Sequence, residues 1–230
     1  MTARVTATSI VDAIANDLRT RILEGELTSA AALTETDMAA SYDVARPTAK
    51  AAIEKLVAEG LLVRGAHKSA RVAELGPDSV RDIYQARAYL ESEVLRRLAL
   101  SCTVPEEAVQ ANLDIAAVAG GSALDVVEPD MRFHTSLIDA VGNERISRMY
   151  RSLVSEVRLC MVRVQSLNLL DTALIQAEHQ RLLELIGEGD GAAAAELLDE
   201  HLARARERLA AAIGGEAGPE AHLPSSLHRV

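Results

Sequence analysis

Apolar residues recur at helical spacing over most of the chain, beginning with residues 8–24. Thr34 then stands before a short apolar-sided segment, and it predicts an N-cap with Asp37 at the capping-box position. A third segment opens with Arg46-Pro47, and proline is favoured at the start of a helix because its missing N–H would be unpaired there anyway. The pattern therefore predicts a helix, a short helix and a third helix in succession.

The stretch from residue 61 to residue 73 departs from the helical pattern. Two β-prone arms, 61–64 and 70–73, flank a polar turn that contains glycine, and they predict a small hairpin. The Gly76-Pro77-Asp78 sequence then predicts a domain boundary. Residues 1–75 are therefore expected to form one domain, in the order helix, short helix, helix and hairpin.

Only helical patterns follow this boundary, up to about residue 213. Pro129 argues for a break within one of these segments, with the main helix beginning near Asp130. We therefore expect residues 76–213 to form an all-α bundle. The composition of residues 214–230 predicts a disordered tail.

The composition supports a mainly α fold and excludes several classes of protein. Of the 230 residues, 49% are hydrophobic, which is enough to bury a core, but only 2% are aromatic, which is unusual for a β-rich domain. Cys102 and Cys160 lie far apart without a closely spaced partner, so neither a disulfide framework nor a Cys-based zinc site is supported. No apolar run reaches the length of about 18–20 residues that a membrane helix needs, and the first residues lack a signal-peptide pattern. We therefore expect a cytoplasmic protein that does not span a membrane.

The net charge of −10 is unevenly distributed along the chain. Residues 44–72 carry six basic residues against only two acidic ones, so the rest of the chain is strongly acidic. A short basic element on an acidic body is compatible with a small DNA-binding head on a regulatory domain. It is equally compatible with one solvated helix face, so charge alone leaves both interpretations open.

The order of elements in the first domain is that of a winged helix-turn-helix. In this motif one helix steadies a second helix, whose first turns enter the major groove of duplex DNA. Donors on the third helix could contact base edges or phosphates, those near the second helix could contact phosphate, and those at the hairpin tip could reach the minor groove. The candidate DNA-binding residues are Thr34, Thr36, Arg46, Thr48, Lys50, His67 and Lys68. The alternative is a basic solvated helix followed by an unrelated hairpin.

Residues 8–73 resemble the winged helix-turn-helix domain of the GntR family of bacterial transcription regulators. The stretches that carry the resemblance are Ile22-Leu-Glu-Gly-Glu-Leu, Leu33-Thr-Glu-Thr-Asp-Met-Ala, Val44-Ala-Arg-Pro-Thr-Ala-Lys-Ala-Ala-Ile and Leu56-Val-Ala-Glu-Gly-Leu-Leu. Thr36 and Lys50 stand where the family usually has arginine, and Ala45 stands where it usually has serine. We therefore expect DNA binding, at an operator sequence that differs from the common family pattern.

One aspartate and three histidines are the candidate metal ligands of the helical region. Asp130 and His134 are four residues apart on one predicted helix, so they share a face, and His179 and His201 lie on the apolar sides of two others. A buried imidazole needs a partner, and three imidazoles with one carboxylate suit a divalent transition metal such as zinc, nickel or manganese. The alternative is three unrelated histidines, each paired with a backbone carbonyl.

Residues 78–213 resemble the FCD ligand-binding domain, the helical bundle of the FadR-type branch of the same family. The stretches that carry this resemblance are Arg87-Ala-Tyr-Leu-Glu91, Asp130-Met-Arg-Phe-His134, Asn143-Glu-Arg-Ile, Glu178-His179, Gly189-Asp190 and His201-Leu202. The resemblance implies a metal site formed by the same aspartate and three histidines, where a small carboxylate completes the coordination. It also implies that Arg87 could hold this carboxylate in a fork, the alternative being a surface salt bridge with Glu91.

The favoured hypothesis is a dimeric transcription regulator that binds a palindromic operator in double-stranded DNA. We expect a repressor that a small organic acid releases from DNA. The metal is expected to bind this acid, and no enzymatic activity is expected. Two alternatives remain, a regulator that responds directly to the metal and a helical metalloenzyme. A general base beside the metal would support the enzyme, but no glutamate is placed as in a metalloprotease helix.

Overall fold

The computed structural model of the chain describes residues 9–28, 32–65, 69–118 and 123–218. The chain divides into two units, and the division falls between Glu74 and Leu75. Among the described residues, the first unit contains three helices and a small sheet, whereas the second unit contains only helices. The predicted fold class, a winged helix-turn-helix followed by an all-α bundle, is therefore confirmed.

The sheet of the first unit has three strands. The elements of this unit are α1 (Ile10–Leu23), β1 (Ala32–Thr34), α2 (Glu35–Ser41), α3 (Arg46–Ala58), β2 (Leu62–Arg64) and β3 (Ser69–Val72). The strands are antiparallel in the order β1-β3-β2, so that Leu33 pairs with Ala70 and Val63 pairs with Arg71. The hairpin of β2 and β3 agrees with the sequence pattern. Strand β1 does not follow from that pattern, because three residues before a helix carry no periodicity and become a strand only by pairing with β3.

Packing and capping hold α3 in place. It contacts both α1 and α2, and Leu18 on α1 and Ile53 on α3 are completely buried. At the start of α2, the Thr34 hydroxyl accepts a hydrogen bond from the Asp37 backbone N–H (3.1 Å) and donates one to the Asp37 carboxylate (2.7 Å). The predicted N-cap is therefore present, and it fixes the helix that supports α3. The Asp37 carboxylate accepts from the Thr34 hydroxyl, whereas in a capping box it would accept from the Thr34 backbone N–H.

The second unit is built around α4. Its elements are α4 (Pro77–Leu100), α5 (Glu106–Ala117), α6 (Ala123–Ala140), α7 (Glu144–Ser166), α8 (Thr172–Glu188) and α9 (Gly191–Ala212). Helix α4 contacts α6, α7, α8 and α9, and it packs most extensively against α9. A Cβ atom at Gly191 would lie 2.9 Å from the Arg96 Cα, so only glycine permits this approach of α9 to α4. None of the described helices is long and apolar enough to cross a membrane.

The predicted break at Pro129 is wrong. Helix α6 runs from Ala123 to Ala140 with Pro129 inside it. Proline removes one backbone hydrogen bond, but the helix buries apolar side chains on both sides of it, Val127 before and Met131 after. Burial of this face maintains the helix, so Asp130 lies within α6 rather than at the start of a new helix.

The first residues of the predicted tail contact the second unit. The Gly215 N–H donates to the Ala210 carbonyl (2.9 Å), and the Arg81 guanidinium donates to the Glu216 carbonyl (2.7 Å). These contacts differ from the disorder expected over residues 214–230, because backbone groups here find partners on α4 and α9. Residues 219–230 lie outside the described residues.

Candidate functional site

Three helices of the second unit bring one aspartate and three histidines together. Asp130 and His134 lie one turn apart on α6, whereas His179 lies on α8 and His201 on α9. One ring nitrogen from each histidine lies within 4.8 Å of those of the other two. The Asp130 carboxylate lies 3.7 Å from the Nε2 atoms of both His134 and His179. The four candidate metal ligands therefore form one cluster.

The candidate ligands of this cluster are buried, and four of their polar atoms lack a hydrogen-bond partner among the described residues. Asp130, His134 and His179 are at most 1% exposed, and His201 is 6% exposed. Among the described residues, Asp130 Oδ2, His134 Nε2 and both ring nitrogens of His179 have no hydrogen-bond partner. Leaving such a group unpaired costs about 1–3 kcal/mol. Imidazole and carboxylate groups in this combination fit a divalent transition metal, which would bind one ring nitrogen of each histidine and an oxygen of the carboxylate.

The surroundings keep His179 in the neutral form that a metal ligand requires. Burial lowers the pKa of the His179 imidazole well below 6.5, and the nearby His201 and His134 lower this pKa further. The Phe133 ring stacks on His179 with parallel planes and a distance of 3.8 Å between ring centroids. Helix packing and stacking therefore fix the plane of this imidazole while its nitrogens stay unpaired.

A buried carboxylate on α4 holds the other ring nitrogen of His134. Glu91 Oε2 lies 2.6 Å from His134 Nδ1, and Glu91 Oε1 accepts hydrogen bonds from Arg87 Nε and the Tyr150 hydroxyl, both at 2.8 Å. Burial alone would raise the pKa of Glu91, but the charge of Arg87 and the contact with His134 hold this pKa well below its usual value. An ionised acceptor at Nδ1 orients the ring and leaves the Nε2 lone pair directed toward Asp130.

A second buried carboxylate holds His201 in the same manner. Glu178 on α8 places its Oε2 atom 2.9 Å from His201 Nδ1, and its Oε1 atom forms an ion pair with Arg204 on α9. The sequence interpretation missed Glu178, Arg204 and the Tyr150 contact. Charged residues on the apolar side of a helix are the one sequence feature that could have identified Glu178 and Arg204.

Arg87 borders a cavity beside the cluster. Asp130 and His201 line the same space, a small cavity of about 20 Å³. That volume holds about one water molecule, so a carboxylate ligand would need the lining side chains to move apart. Arg87 is 1% exposed, and its Nη2 atom has no hydrogen-bond partner among the described residues. The salt bridge with Glu91 is present, but it is buried rather than on the surface, and it leaves this donor unpaired.

The candidate DNA-binding residues on α3 lie in its first turns. Arg46 and Lys50 are exposed, and Thr48 between them is half-buried. The N-cap residue, Ala45, makes no side-chain hydrogen bond to the helix. Exposed cations at the first turns of a helix are well placed to contact phosphates or base edges.

The remaining candidates of the first unit have different environments. Thr36 is exposed on α2. The Thr34 hydroxyl caps α2 and also bonds to the Asp37 carboxylate, so a phosphate contact would compete with that cap. His67 and Lys68 lie outside the described residues.

Comparison with known families matches each unit separately. The model of the FCD domain matches residues 82–204 of the second unit. The model of bacterial regulatory proteins of the gntR family matches residues 10–72 of the first unit.

The chain is also similar to individual proteins. It is 24% identical over 214 residues to a probable D-xylose utilization operon transcriptional repressor from Paenarthrobacter nicotinovorans, a match that covers 92% of this chain and 94% of the relative. It is 28% identical over 128 residues to the Nta operon transcriptional regulator from Aminobacter aminovorans, and this match covers 55% of this chain and 61% of the relative.

Among solved structures, the fold resembles that of a transcriptional regulator GntR from Rhodococcus sp. RHA1. The TM-score is 0.73 at 21% sequence identity, over 88% of this chain and 98% of that chain. At this level of identity the likeness supports the fold.

Proposed function

The chain belongs to the GntR family of bacterial transcription regulators that carry an FCD domain, and from this membership we propose that it is a repressor controlled by a small organic acid. Regulators of this family bind DNA. In the proposal, the acid binds at a metal site in the second unit and weakens the hold on operator DNA. The relatives and structural neighbours are transcriptional regulators rather than enzymes, so a hydrolytic role for the metal is not retained.

The observation that carries the proposal is the cluster of candidate metal ligands with unpaired polar atoms, which lies beside a cavity lined by a buried arginine. A divalent transition metal held by the aspartate and the three histidines would supply a Lewis acid that binds a carboxylate oxygen. Arg87 lines the same cavity with an unpaired Nη2 donor. A guanidinium and a metal together favour a carboxylate over a neutral ligand, and the small volume favours a short acid.

The exposed cations at the start of α3 are the proposed DNA contacts. One recognition helix offers too few base contacts for selectivity, so we propose a homodimer in the cytoplasm that places two copies of α3 on a palindromic duplex. The acid then acts by binding one arrangement of the dimer more tightly than the other. The repressor among the relatives supports repression rather than activation.

Selection from a random duplex library, followed by gel shifts with the selected duplex, tests DNA binding by the full chain. Arg46→Ala should weaken binding by about 1–3 kcal/mol if this side chain contacts a base. Arg97→Ala is the matched control, because Arg97 is an exposed arginine of the second unit, paired only with Glu93 among the described residues. Failure of the full chain to shift any duplex at low salt would contradict the regulator proposal.

A further inference from the structure

Arg204 is a buried cation beside the metal cluster that the proposed function does not use. It lies on α9, three residues after His201, and is only 1% exposed. Its Nη2 atom forms an ion pair with Glu178 Oε1, and Glu178 is also 1% exposed. A buried arginine is tolerated only with a charged partner, and Glu178 is that partner.

The same carboxylate connects Arg204 to a candidate metal ligand. Glu178 presents Oε1 to Arg204 and Oε2 to His201 Nδ1, the latter at 2.9 Å. The three side chains form a chain of contacts from the guanidinium to the imidazole. The Arg204 contact limits where the carboxylate can lie, and the carboxylate limits the rotation of the His201 ring.

Two arginines thus contact two of the histidines through a glutamate, but only one of these arginines, Arg87, lines the cavity. Arg87 reaches His134 through Glu91, and it also lines the cavity beside the cluster. The described residues that line this cavity include His201 but not Arg204. Arg204 is therefore not placed to bind a ligand in that space, and its contact with the site runs through Glu178.

We propose that Arg204 is a positioning residue for the metal site, which acts by fixing the Glu178 carboxylate that orients His201. This inference rests on the proposed metal site, and it assigns to Arg204 a role in metal affinity rather than in contact with the acid. Groups that orient metal-binding histidines typically change metal affinity by about 10–100-fold when they are removed.

A double-mutant cycle tests the proposal. Each full-length protein is titrated with Co²⁺, and binding is monitored by the visible absorption bands of the bound ion. The variants are Arg204→Gln, Glu178→Gln and the double variant. Arg181→Gln is the matched control, because Arg181 is a partly exposed arginine of α8 that pairs with Glu184 and Glu188. Far-UV circular dichroism before each titration confirms that the variant is folded.

We expect Arg204→Gln to weaken Co²⁺ binding by about 10–100-fold and to change the visible bands, whereas the control leaves both unchanged. In the Glu178→Gln background, Arg204→Gln should produce no further loss, because its effect passes through that carboxylate. Equal affinity and spectra for Arg204→Gln and Arg181→Gln would overturn the proposal. A full additional loss in the double variant would also overturn it.

Arg204→Lys replaces Arg204→Gln if the latter does not fold. Lysine keeps the buried charge but contacts Glu178 through a single ammonium group. We expect a several-fold loss of Co²⁺ affinity that disappears in the Glu178→Gln background, and no loss would overturn the proposal. Failure of the unmutated protein to bind Co²⁺ would instead contradict the metal site of the proposed function.

Discussion

The Glu91 carboxylate contacts Arg87, His134 and Tyr150, so one substitution at Glu91 tests all three contacts. Glu91→Gln keeps the size of the side chain but removes its charge. The Arg87 guanidinium, only 1% exposed, then has a neutral partner in place of a carboxylate at 2.8 Å. The substitution also places an amide where His134 Nδ1 meets a carboxylate oxygen at 2.6 Å.

The expected loss of stability is large because both members of the ion pair are buried. Removing one partner of a buried pair costs about 3–5 kcal/mol, which compares with a total of about 5–15 kcal/mol for a typical protein. Glu93→Gln is a matched control on the same helix, since Glu93 pairs with Arg97 across the same four-residue spacing at 2.9 Å. That pair is 49% and 59% exposed at its side chains, and such exposed helical pairs contribute about 0.3–0.5 kcal/mol.

Urea unfolding of the full chain in the presence of a chelator, followed by far-UV circular dichroism, measures both losses. We expect Glu91→Gln to lower the free energy of unfolding by at least about 2.5 kcal/mol more than Glu93→Gln does. Equal effects of the two substitutions would show that Arg87 and Glu91 do not form a buried ionised pair. His134 would then lack the ionised acceptor that orients its ring.

Three further results are expected. His179→Ala should abolish the bound metal measured by elemental analysis and leave DNA binding intact, and an unchanged metal content would contradict the ligand set. Because burial, followed by His201 and His134, lowers the pKa of His179 below 6.5, the unfolded chain takes up a proton below pH 6.5 that the native protein does not. The stability of the metal-free protein should therefore fall on acidification from pH 6.5, by up to about 1.4 kcal/mol per pH unit, and His179→Ala should show a shallower dependence in the same urea assay. Thr34→Ala should lower the stability of the first unit by about 1 kcal/mol through loss of the α2 cap, and a change within the error of thermal unfolding would argue against that cap.

Local sequence patterns predicted the helix caps and helix faces, because these features depend on residues that are close in sequence. Thr34 predicted the N-cap of α2, and the four-residue spacing of Asp130 and His134 placed both on one helix face. The sequence grouped these two residues with His179 and His201 through their ligand chemistry and through a family resemblance. Spacing alone could not do so, because the packing of α6, α8 and α9 is not encoded in any single stretch.

The features that sequence reasoning missed depend on tertiary packing. Glu178 precedes His179 in sequence but contacts His201 on another helix, and no spacing rule relates those two positions. Pro129 is a helix breaker by its local chemistry, yet burial of the α6 face on either side of it maintains the helix. In both cases contacts between helices decide the outcome.

DNA affinity measured under four metal and acid conditions tests whether the metal site controls the response to the acid. The full chain on its selected duplex is titrated by fluorescence anisotropy with chelator, with Zn²⁺, with a panel of small mono- and dicarboxylates after chelation, and with Zn²⁺ and the panel together. We expect at least one acid to weaken DNA binding only when Zn²⁺ is present. An acid that acts equally after chelation, or a change of DNA affinity caused by Zn²⁺ alone, would contradict this expectation.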